Sequence, residues 1–86
     1  RLLSCDIEDV CVGSSATELL CSLAWAISPP SGSNIVSTRA SFPSTVYPWR
    51  RVAEENGAEI RLAGHDEDLY TDPEEIFALI DQDTSV

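Results

Sequence analysis

Apolar residues recur at three- and four-residue spacing after Ala16: Leu19, Leu20, Leu23, Ala24 and Ile27 form one stripe. That spacing predicts an amphipathic helix. Pro29, Pro30, Ser31, Gly32 and Ser33 then end it. Upstream, the β-branched run Val10, Cys11, Val12 stops at Gly13 and predicts a short buried strand. Gly13, Ser14 and Ser15 make the turn between strand and helix. Ile35, Val36, Ser37 and Thr38 predict a second strand, followed by a loop from Arg39 to about Tyr47. Pro48 suits the first turn of a helix, where its missing N–H is not needed. That helix is expected to span residues 48–56, with Gly57 as its stop. Residues 58–62 alternate and predict a strand. Asp72, Pro73, Glu74 and Glu75 make a helix start, with Asp72 as cap and Glu75 completing a capping box. Ile76, Phe77, Leu79 and Ile80 provide its apolar face. Residues 84–86 look like the opening of another strand.

The order is therefore β-α-β-α-β-α-(β). Strands that alternate with helices imply parallel pairing and right-handed crossovers. The expected fold class is α/β: an alternating strand–helix segment of a three-layer α/β/α sheet, mainly parallel and incomplete. Residues 1–86 read as a single segment of one domain, with no internal repeat. The chain has 86 residues, a length at which a core is small and stability alone is marginal.

Composition narrows the partners. Acidic residues number 15 against 5 basic ones, all arginine, and the net charge is -10. Broad contact with nucleic-acid phosphates needs a basic patch, so nucleic acid is not an expected partner. The acidic clusters read as solvated loops and helix starts. No segment is long and apolar enough to span a bilayer, so no membrane partner is expected. Three cysteines, Cys5, Cys11 and Cys21, include no CxxC pair. A structural zinc site is not supported. Cys11 and Cys21 read as small core residues in a reducing, cytoplasmic setting. The chain contains no methionine, which suggests a fragment or a processed piece.

Two loops could carry chemistry. The first, residues 13–18 (GSSATE), lies between a predicted strand and a predicted helix. In open α/β sheets ligands bind at the carboxyl ends of strands. A helix N-terminus there offers unpaired N–H groups and a partial positive charge that suit a phosphate. The plainer reading is an ordinary cap, with Ser14 or Ser15 capping and Glu18 closing a box with Ser15. On the residues alone, the cap is the stronger reading. The second loop, residues 41–49 (SFPSTVYPW), follows the next strand. Phe42 either stacks on a flat ligand or covers the core, and Trp49 is better read as core. His65, the one histidine, sits in an acidic loop and reads as solvated. No metal site and no Ser/His/Asp set is supported.

Together the two loops carry a family resemblance. The stretch VCVGSSATELL (10–20) is similar to the strand–turn–helix of class V aminotransferase-fold enzymes. The stretch NIVSTRASFPSTVYPWRRVAEENGAEIRL (34–62) resembles the segment that follows it there, and DPEEIFALIDQDTSV (72–86) resembles the approach to the next strand. The resemblance covers nearly the whole chain, in order. The family includes cysteine desulfurases, kynureninases, isopenicillin-epimerase-like enzymes and several aminotransferases.

The resemblance implies a pyridoxal 5'-phosphate site at the carboxyl ends of the strands. It implies that Ala16 and Thr17 hold the cofactor phosphate, that Phe42 stacks on the pyridine ring, and that Ser44 and Thr45 approach the cofactor. Desulfurases usually have His where Phe42 stands, and kynureninases an acid where Thr45 stands. Enzymes of this kind bind the cofactor through a lysine, with an acid on the pyridinium nitrogen. This chain has no lysine, so it supplies no catalytic residue of that kind. Asp81 and Asp83 match a helix end rather than the pyridine partner. The parent enzyme is expected to act on an amino-acid substrate by transamination, β-elimination (desulfuration) or epimerisation, and to be a homodimer. The alternatives are a non-catalytic module that binds a phosphate ligand, or a structural α/β piece.

Overall fold

The computed structural model describes every residue except Arg1, Phe42, Asp66 and Asp68, and the backbone only of Ser44. A single 3-10 turn, Ile7–Asp9, precedes helix α1 (Ala16–Ile27). Strand β1 (Asn34–Thr38), helix α2 (Pro43–Asn56), strand β2 (Glu59–Ala63) and helix α3 (Pro73–Leu79) follow. β1 and β2 pair in parallel, with Ile35 opposite Ile60 and Val36 opposite Arg61.

The tail forms the start of a third strand on the other side of β1. Thr84 makes a parallel bridge to Asn34. The Asn34 N–H donates to the Asp83 carbonyl, that of Ser85 to Asn34 and that of Val36 to Val86, at 2.9–3.1 Å. β1 is thus central, with β2 and the tail flanking it.

Side-chain alternation assigns the two faces. Ile35 is buried in a cluster with Ala24, Trp49, Val52 and Ala53, against which Ile60 packs. Those residues come from α1 and α2: α2 lies against this face of the sheet, and α1 packs on α2. The next positions along each strand point the other way. Arg61 reaches the Leu79 carbonyl at the end of α3, and Thr38 receives a bond from Thr71. Helices on both faces of a parallel sheet give the expected α/β/α layering, here incomplete.

Local signals explain most boundaries. Ser28 ends α1 in the left-handed region (φ 47) with its N–H on the Ala24 carbonyl. Gly57 ends α2 at φ 75, where a side chain would be strained, and the Ala58 N–H closes the cap on Ala53. Asp72 caps α3 by accepting from the Glu74 N–H.

Three expectations are corrected. Val10, Cys11 and Val12 form no strand: Val10 is extended, but the run has no sheet partner among the described residues, and Val12 is 90% exposed. Cys11 is therefore exposed rather than core, and Cys21 is only half-buried. α2 begins at Pro43, not Pro48. Pro43 takes the first helical turn, and Pro48 lies buried inside the helix, where it forfeits one backbone bond. The Trp49 reading holds, for its side chain is buried in the core.

The polar junction beneath α3 is tightly paired. Arg61 Nη1 donates to Asp81 Oδ2 at 2.7 Å, and Asn34 Nδ2 to Asp81 Oδ1 at 2.9 Å. Thr84 Oγ1 donates to Asn34 Oδ1 at 2.7 Å, which satisfies an amide only 1% exposed. Asp81 and Asp83 thus serve the helix end, with the Asp83 N–H on Asp81 Oδ1.

Two predictions follow from this packing. Trp49→Ala should destabilise the chain by about 3–5 kcal/mol, read as a lower urea midpoint. The second concerns acid. The Arg61 guanidinium, then the Asn34 amide and Asp83 N–H, hold the Asp81 carboxyl down to about 2. A carboxyl depressed in the folded state contributes above its unfolded value and loses that contribution as pH falls through the folded one. Between about pH 4 and pH 2, hydrogen exchange at the Asn34 and Val36 amides should accelerate. Asp81→Asn should remove most of that pH response.

Candidate anion site at paired helix starts

The turn into α1 is built from small and hydroxylated residues. Gly13 packs beneath Leu19: a Cβ there would lie 2.7 Å from Leu19 Cδ2 and would push that partly exposed side chain aside. Ser15 is the cap: its Oγ accepts from the Glu18 N–H at 3.1 Å, and its carbonyl from the Leu19 N–H at 3.2 Å. Glu18 does not close the box on Ser15. Its carboxylate reaches one residue further back and accepts from both the N–H and the hydroxyl of Ser14. Those two bonds, the hydroxyl first, hold the Glu18 carboxyl below the usual range.

This capping leaves the first donors of the helix. Among the described residues, the N–H groups of Ala16 and Thr17 and the Thr17 hydroxyl take no protein acceptor. The α1 dipole places partial positive charge at the same point. Such a set favours a compact anion.

The second loop comes to the same end of the molecule. α2 ends beside the end of α1: Asn56 Nδ2 donates to Ser28 Oγ at 3.0 Å and to the Pro29 carbonyl at 2.9 Å. The two helices therefore run parallel and start together, at the carboxyl ends of β1 and β2. Thr17 accordingly shares a groove of about 370 Å³ with Cys21, Trp25, Tyr47, Pro48 and Arg51. Thr45 lies on the first turn of α2 and is half-buried. Phe42 and the Ser44 side chain lie outside the described residues.

Two features of the site were not read from the sequence. Tyr47, Pro48 and Arg51 line the groove beside Thr17 because α2 starts five residues earlier than Pro48 suggests. The Ser14–Glu18 pair was also missed, though the four-residue separation was available as a signal.

A model of the family described as Aminotransferase class-V matches residues 4–86. The chain belongs to this family. Class V aminotransferases are in general pyridoxal-phosphate-dependent. No curated protein matches the chain. The donors at Ala16 and Thr17 suit the phosphate of that cofactor, which accepts hydrogen bonds and carries negative charge. Among the described residues no group of three or more metal-ligating side chains occurs, and no helix is long and apolar enough to cross a membrane.

The cap itself is testable. Ser15→Ala should cost about 1 kcal/mol by urea unfolding, because the Glu18 N–H loses its acceptor. Ser14→Ala should instead raise the Glu18 titration midpoint in carboxyl NMR, with a smaller effect on stability.

Proposed function

We propose that this chain forms the cofactor-phosphate and ring-stacking part of a pyridoxal-phosphate-dependent enzyme acting on an amino acid. One observation carries the reading: the unpaired donors of Ala16 and Thr17 open a helix at the carboxyl end of a parallel sheet, within a class V aminotransferase chain. Ala16 and Thr17 hold the phosphate through two N–H groups and one hydroxyl. Phe42 covers the pyridine ring, and Ser44 and Thr45 approach it from the start of α2. When bound, the cofactor withdraws electrons from the bond being broken at the substrate's α-carbon. The residues named here fix where it sits. The lysine that carries the cofactor comes from outside these 86 residues, none of which is lysine.

Transamination, β-elimination and epimerisation are all consistent with this role. The parent enzyme works as a cytoplasmic homodimer in this reading. The family match over residues 4–86 supports the cofactor reading over a bare anion site; the helix donors suit both.

Titration of the chain with pyridoxal phosphate and with inorganic phosphate tests the proposal. Pyridoxal phosphate should bind more tightly than phosphate. Thr17→Val should weaken both about tenfold or more, the loss of one hydrogen bond to a charged group. Phe42→Ala should erase the preference and leave phosphate binding unchanged. Comparable weak binding of both ligands to the unaltered chain would replace the cofactor reading with a plain anion module.

A further inference from the structure

The end of α2 places Asn56 directly before Gly57. A glycine after asparagine leaves its backbone nitrogen unobstructed, so that nitrogen can reach the asparagine side-chain carbon. Three restraints oppose that attack in the fold. The Asn56 amide is held by Ser28 and Pro29 through its nitrogen, which is also the leaving group. Asn56 is the last residue of a helix. Gly57 is locked at φ 75 by the cap that the Ala58 N–H closes on Ala53. The same amide joins the ends of α1 and α2 and supports Ser28, a serine in the left-handed region.

We infer that Asn56 is a conformation-gated deamidation site whose conversion breaks the polar tie between the ends of α1 and α2. The Gly57 nitrogen gives up its proton to water and bonds to Asn56 Cγ. The Cγ–Nδ2 bond breaks, and ammonia leaves. Water then opens the imide ring at either carbonyl, giving aspartate or isoaspartate. The net change is water taken up and ammonia released, with no oxidation. The product carboxylate has no N–H for Ser28 Oγ or the Pro29 carbonyl, and it adds a negative charge to a chain already at -10. The isoaspartate form also lengthens the main chain at the helix cap. This inference is independent of the cofactor reading.

The test follows the peptide between Arg51 and Arg61, which trypsin releases, by mass spectrometry. The full chain is incubated at mildly alkaline pH with and without strong urea. Conversion at Asn56 should proceed in urea and run roughly tenfold or more slowly without it, since it requires local opening. Ser28→Ala should raise the native rate several-fold and leave the urea rate unchanged. Equal rates in the two conditions, or no conversion in urea, would overturn the gate. Asn56→Asp should lower the melting temperature, and an unchanged value would overturn the tie.

Discussion

The fold rests on one helix being held between another helix and a sheet. Val52 and Ala53 of α2 pack with Ala24 of α1 on one side and Ile35 of β1 on the other, and Ala24 and Val52 are fully buried. α1 has no close backbone neighbour in either strand among the described residues; its neighbour is α2. The position of the α1 start, and with it the donors of Ala16 and Thr17, is therefore set through α2. An alanine at position 24 allows this, because a small side chain lets the helix axes approach closely. Leu23, Trp25 and Ile27 of α1 stay partly exposed.

The second constraint lies on the other face of the sheet. A buried asparagine is costly unless its amide is fully satisfied. Asn34 meets that condition by donating to Asp81 and accepting from Thr84, and Asp81 in turn receives Arg61. One central-strand residue thereby ties the tail and the end of α3 to β1, while Arg61 brings in β2. Asp81 is thereby engaged in the structure, at the end of α3.

Much of this was legible in the sequence. The three-and-four spacing of Leu20, Leu23, Ala24 and Ile27 located α1, and Asp72 with Pro73 located the start of α3. Both are local signals, carried by neighbours a few residues apart. The failures share a cause. Val10, Cys11 and Val12 have strand-forming side chains, but a strand exists only where a partner supplies hydrogen bonds. Pro48 looked like a helix start because proline is tolerated there. Yet Pro43 already filled that place, and burial of the α2 face kept the helix intact through Pro48.

By itself the sequence determined the alternation of elements from α1 onward, the class V aminotransferase resemblance and the absence of lysine. These depend on residue identity and short-range spacing. Tertiary structure decided which sides of the strands face which helices, that α1 and α2 run parallel from one end, and that Glu18 is spent on Ser14 while Ala16 and Thr17 keep their donors. Those outcomes depend on contacts between segments far apart in the chain, such as Asn56 with Pro29 or Asn34 with Asp81. Local patterning does not encode the geometry of such contacts.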